Sequence, residues 1–300
     1  MSEQVPVVLV TGYLGAGKTT WINDRIGQGL TPGALILVND FGAINIDADL
    51  IAYRDDRVIR LSNGCICCSL GESLAVQLTE INRWQPAPSI VYIEASGVAQ
   101  PQRIIDLITV SRQYRMQESV GLVDAASVMD TLTDSRVGAL VSEQIATVDT
   151  LFVNRLSGLQ SDQQVAARQL LADINPGAAI VTTSGSSDSS ATPPRISIDR
   201  IPALTGDSGE GELRWQRFAV TLQEPVCCAE LEKTLMRYAD VLARAKGFVN
   251  DADWRSVVFQ WGGSKAAWML TSRKVGSSQL VGIGFDGPRF DALIQELQKL

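Results

Sequence analysis

Apolar positions in the first 184 residues follow two alternating rhythms. Short runs rich in Val, Ile and Leu occupy positions 5–10, 34–38, 58–61, 90–93, 120–123, 151–153 and 180–181. Between them, apolar residues recur at helical spacing: Leu70, Leu74, Leu78 and Ile81 share one face, and Ile22 pairs with Ile26. Runs of strand length alternating with such stretches predict βα units, hence a mostly parallel sheet with helices on both faces. From Ser184 to Gly211 the pattern dissolves into SGSSDSSATPP and then TGDSGEGE, a composition that buries little and reads as a flexible linker. A second pattern follows, with a strand at 218–222 and a helix carrying Leu231, Leu235, Tyr238 and Leu242. Strands near 257–260, 268–270 and 280–283 come next, and a last helix repeats Phe290, Leu293, Ile294 and Leu297. The chain therefore divides into an α/β domain over 1–184, a Ser/Gly/Pro-rich linker over 185–212 and a smaller α+β domain over 213–300.

Composition sharpens this picture by exclusion. In 300 residues with 45% hydrophobic content there is no histidine, so imidazole acid–base catalysis and imidazole metal ligation are ruled out. Net charge is −7, which argues against a nucleic-acid partner. That charge is uneven, −7 over 1–184, −3 over 185–212 and +3 over 213–300, and the final basic excess is too mild to mark a phosphate-binding surface. The five cysteines fall in two crowded clusters, a poor disulfide framework. The opening MSEQVPVVLV lacks the features of a signal peptide, and no apolar run approaches membrane-spanning length, so a cytoplasmic protein with no membrane partner is expected.

The densest chemistry follows the first strand. Gly12-Tyr13-Leu14-Gly15-Ala16-Gly17-Lys18-Thr19-Thr20 fits G-x-x-x-x-G-K-[ST] in its required setting, between a strand and a helix. Glycines let backbone N–H groups curl around a phosphate chain, Lys18 reaches the β- and γ-phosphates, and the Thr19 hydroxyl ligates Mg²⁺. Gly12, Gly15, Ala16, Gly17, Lys18, Thr19 and Thr20 are thus expected to bind nucleotide. Glu94, ending the apolar run in IVYIEASG, suits an outer-sphere Mg²⁺ ligand and γ-phosphate sensor.

Asn63-Gly64-Cys65-Ile66-Cys67-Cys68 precedes Ser69-Leu70-Gly71-Glu72, a capping-box signature. Thiols at a helix N-terminus gain thiolate character, and three so close together can share Zn²⁺, Co²⁺ or Cu⁺ in an open site. Asp40, Asp47 or water would complete the ligand set; buried structural cysteines and a redox centre are the alternatives. Cys227-Cys228 opens a helix, and ordinary packing is expected there.

Assembled, these residues resemble the CobW-like family of P-loop GTPases, which act as metallochaperones or metal-insertion factors. The shared pieces are GYLGAGKTT, NDFGAINID at 39–47, NGCICC at 63–68 and EASGVAQP at 94–101, with RAKGF at 244–248 and WGGSKAAW at 261–268 in the C-terminal part. The resemblance implies that a loop over 39–49 couples phosphate state to metal at Cys65, Cys67 and Cys68. It implies slow Mg²⁺-dependent hydrolysis of GTP, with ATP as the alternative, using Lys18 and Glu94. It also implies Zn²⁺ or Co²⁺ as cargo or effector and a client metalloprotein as partner. The family's N/T-K-x-D base-reading motif aligns with Asn154-Arg155-Leu156-Ser157, so Asn154 and Arg155 are expected beside the base while Ser157 offers no bidentate carboxylate. The competing readings are a nucleotide-holding regulatory module with negligible turnover and a small-molecule kinase.

Overall fold

The computed structural model describes residues 4–38, 58–60, 70–182, 214–262, 265–271 and 276–300. Seven strands, β1 (Val5–Thr11), β2 (Ala34–Val38), β3 (Val58–Arg60), β4 (Ile90–Glu94), β5 (Tyr114–Asp124), β6 (Thr150–Asn154) and β7 (Ala179–Thr182), form one sheet in the order β3-β2-β4-β1-β5-β6-β7. Every recorded pairing in it is parallel. The crossovers carry α1 (Lys18–Gly27), α2 (Leu70–Ile81), α3 (Pro101–Thr109), α4 (Val128–Thr133), α5 (Gly138–Ala146) and α6 (Ser161–Ile174).

Burial explains why these strands are apolar without interruption. Leu9, Leu37 and Ile93 pack with Leu74, Leu78, Ile81, Ile104 and Ile108 on one side of the sheet. Their sequence neighbours Val8, Val10, Ile36 and Val38 pack with Trp21 and Ile22 on the other. A strand covered on both faces has no polar side to alternate with. The expected strand at 120–123 is longer, since β5 begins at Tyr114; in its first half exposed Arg115 and Gln117 alternate with Tyr114 and Met116, which pack in the core with Leu78, Ile104 and Ile108.

The C-terminal part is a separate antiparallel sheet, β8 (Trp215–Thr221), β9 (Leu242–Asn250), β10 (Ser256–Gly262), β11 (Lys265–Leu270) and β12 (Gln279–Phe285), ordered β11-β10-β9-β12-β8. Helices α7 (Cys228–Arg237) and α8 (Pro288–Leu297) cover one face, where Phe218, Val220, Leu231, Leu235, Phe259, Leu280, Phe290 and Leu293 share a core. One expectation changes here. The helix read through Leu242 stops at Arg237, and Leu242 opens β9, the central strand, which the apolar pattern did not reveal. Leu242 enters the same core from a strand, so its spacing from Leu235 reports burial and not a continued helix.

Candidate functional site

Strand order creates the site. β1 lies between β4 and β5, and β6 follows, so the carboxyl ends of four neighbouring strands deliver the phosphate loop, Glu94, Asp124 and Asn154 to one edge. Ligand crevices of open α/β sheets lie at this edge. The register pairs Val10 with Glu94, which carries the carboxylate to the first turn of α1.

The loop has the geometry that anion cradles require. Gly12, Gly15 and Gly17 take positive φ values of 132°, 83° and 96°, conformations that L side chains rarely adopt. Lys18 folds back so that Nζ donates to the carbonyls of Gly12 at 2.9 Å and Tyr13 at 3.3 Å. Burial pushes the Lys18 ammonium down to about 8; the Glu94 carboxylate opposes that shift and the Arg244 guanidinium adds to it. Thr19 Oγ1 donates to Glu94 Oε1 at 3.0 Å, and Glu94 is 3% exposed. A hydroxyl and a buried carboxylate side by side form an oxygen donor set that fits a hard divalent cation such as Mg²⁺.

The other expected residues are placed as follows. Asn154 grips the loop itself, its Nδ2 donating to the Ala16 carbonyl at 2.6 Å. Arg155, at φ 56°, forms an ion pair with Asp124 at 2.7 Å. Thr20 is exposed on the first turn of α1, and Ser157 is exposed in the short 3-10 turn Leu156–Gly158. Cys65, Cys67, Cys68, Asp40 and Asp47 lie outside the described residues, as do the capping-box residue Ser69 and the linker. Among the described residues, no group of three potential ligands gathers. Cys227 is exposed at the N-terminal cap of α7 and Cys228 is half-buried, so the packing expected of that pair does not extend to Cys227.

Three residues join the site that sequence reasoning had not assigned to it. Asp124 was hidden as an ordinary strand-end acid. Gln144, 2% exposed on α5, donates to the carbonyls of Gly97 at 3.1 Å and Ala99 at 2.9 Å and so holds the loop that follows Glu94. Arg244 reaches over from the second sheet: an added Cβ on Gly15 would lie 2.8 Å from its Nη1. Only the motif RAKGF drew attention to that arginine, and nothing in it pointed to the phosphate loop.

A parallel sheet with a glycine-rich phosphate loop on its central strand and a carboxylate on the adjacent strand defines a P-loop nucleotide-binding protein. The nucleotide-binding domain of the CobW/HypB/UreG family matches residues 6–182, and the chain belongs to that family. The chain is 28% identical over 193 residues to "Zinc chaperone CobW" of Sinorhizobium sp, covering 55% of this chain and 54% of that protein. It is 28% identical over 186 residues to "Zinc chaperone YjiA" of Escherichia coli, covering 59% and 57%. The chain thus spans about half the length of the curated relatives it matches. Among solved structures, the Zn(II)-bound YjiA GTPase from E. coli aligns at 20% identity with a TM-score of 0.47, over 98% of this chain and 99% of that one. No helix among the described residues is long and apolar enough to cross a membrane.

Proposed function

We propose that this chain is a slow, Mg²⁺-dependent nucleoside triphosphatase, with GTP as substrate, that carries or inserts a transition metal, Zn²⁺ or Co²⁺, for a client metalloprotein. The observation that carries the nucleotide reading is the Lys18–Thr19–Glu94 arrangement beneath a loop of three positive-φ glycines. The backbone amides of residues 15–19 and the Lys18 ammonium neutralise the phosphate chain. Thr19 and Glu94 would hold Mg²⁺, which when bound adds charge neutralisation on the phosphate oxygens. Glu94 is hydrogen-bonded to the side chain that would meet the metal, so it senses the terminal phosphate through Thr19. Asn154 keeps the loop curled, and Gln144 fixes the segment behind Glu94.

With no glutamine beside Glu94 in the sequence to position a water, and no histidine to take that role, turnover falls in the range of unassisted P-loop hydrolases, roughly 10⁻⁴–10⁻² s⁻¹. The metal reading rests on the thiolate chemistry of Cys65, Cys67 and Cys68, joined by Asp40, Asp47 or water, and on the names of the relatives above. The domain division 1–184, 185–212 and 213–300 is consistent with two separate sheets joined through that segment.

The test is phosphate release with Lys18→Ala and with Cys65, Cys67 and Cys68 all replaced by Ala. Lys18→Ala abolishes release, and unchanged hydrolysis in that variant overturns the triphosphatase reading. The triple variant loses stoichiometric Zn²⁺ binding while retaining nucleotide, and persistent Zn²⁺ binding overturns the cargo site.

A further inference from the structure

The uncovered face of the C-terminal sheet sits on the phosphate loop. Alternate residues of a strand share a face. Phe218 and Val220 of β8 enter the core beneath α7 and α8, so Trp215 and Arg217 face the other way, as do Ile283 and Phe285 of β12. Ile283 and Trp215 pack with Val98, Tyr13 and Leu14, the last two being phosphate-loop residues. The Arg136 guanidinium lies over the Phe285 ring at 4.4 Å and donates to the Asp240 carbonyl at 2.7 Å, closing the contact from the α4–α5 connection. Arg244 is the cross-strand partner of Ile283 and lies on the central strand β9, so this seat determines where its guanidinium points.

It points at Gly15, within charge range of Lys18. A second cation held beside Lys18 at the phosphate loop adds to the attraction for a polyanion that enters the loop. A side chain longer than hydrogen at Gly15 would meet the guanidinium, so the glycine keeps the loop backbone open to it.

We propose that Arg244 is a phosphate-contacting residue that the C-terminal domain supplies to the nucleotide site of its own chain, binding the terminal phosphate of a nucleoside triphosphate. It would stabilise charge there as an arginine supplied in cis does in other P-loop hydrolases. The inference rests on the triphosphatase reading above.

The test compares the wild-type chain with Arg244→Ala and Arg244→Lys, by calorimetric titration of GDP and of a non-hydrolysable GTP analogue with Mg²⁺, by phosphate release, and by thermal unfolding. Arg244→Ala is expected to weaken analogue binding at least tenfold, to change GDP affinity less than threefold and to slow phosphate release at least tenfold. Its unfolding midpoint stays within a few degrees of wild type, and Arg244→Lys recovers part of the analogue affinity. Equal analogue affinity and equal release in wild type and Arg244→Ala overturn the assignment while leaving the triphosphatase reading standing. Equal loss of GDP and analogue, with a lowered midpoint, also overturns it, in favour of a packing role. A wild-type chain that binds neither nucleotide overturns both readings.

Discussion

At the scale of single residues, Lys18 has an ammonium whose proton affinity is displaced well below its ordinary value. Burial and the neighbouring Arg244 guanidinium lower it to about 8. A lysine is charged below its pKa, so Lys18 is mostly charged at pH 7 and loses that charge as pH rises through about 8. Triphosphate affinity is therefore expected to be flat from pH 6.5 to 7.5 and to fall above pH 8, towards tenfold per unit until the pKa of the bound state is reached. An affinity unchanged to pH 9.5 would mean that Lys18 titrates like an exposed lysine. Gly97 gives a steric counterpart. A Cβ there would stand 2.6 Å from Leu14 Cδ2 and 2.9 Å from the Leu14 backbone nitrogen, which belongs to the phosphate loop. Gly97→Ala should push the two loops apart, costing about 1–3 kcal/mol of stability as overpacking does. Nucleotide affinity should fall with it, and thermal unfolding with and without GDP reads both effects.

At the scale of elements, the site depends on how helices hold loops. Gln144 spans from α5 to the carbonyls of Gly97 and Ala99. Gln144→Ala leaves two buried acceptors without this donor, a loss of about 1–3 kcal/mol. It also frees the segment after Glu94, so phosphate release should change more than GDP affinity; equal GDP and release parameters to wild type would assign Gln144 to simple packing. The phosphate loop was legible in the sequence because its parts are contiguous: strand, glycines, Lys18 and helix follow one another within one motif. The parallel sheet was legible because strands buried on both faces are apolar without interruption. The motif places Asn154 beside the base; that its Nδ2 also braces Ala16, 138 residues away, is a relation that no local pattern encodes. β9 stayed hidden for a related reason. Its polar residues Arg244, Lys246 and Asn250 look like a solvated segment, while in the fold Lys246 and Asn250 are buried and Arg244 turns toward the loop.

At the scale of the whole molecule, the mild basic excess of the last 88 or so residues, too small to mark a phosphate surface when counted, acquires meaning from placement. Register puts Arg217 and Arg244 on either side of Ile283, on the sheet face that seats against Tyr13 and Leu14. Position, not net charge, brings a cation to the phosphate loop. The missing histidine is likewise no obstacle to phosphoryl transfer, which relies on positioning and electrostatics. It leaves thiolates, carboxylates and water as the available metal ligands, and we propose, from the family resemblance, that residues 39–49 couple the metal to the nucleotide.

That coupling is the central claim, and linkage makes it reciprocal. The most direct measurement is calorimetric titration of GTP analogue, GDP and ATP into the Mg²⁺-supplied chain, first metal-free and then loaded with one equivalent of Zn²⁺. The GTP analogue should bind at one site per chain and more tightly than ATP, and Zn²⁺ should shift its Kd at least fivefold. The same shift should appear in Zn²⁺ affinity when the analogue is bound first. Identical nucleotide affinities in the metal-free and Zn²⁺-loaded protein would contradict it.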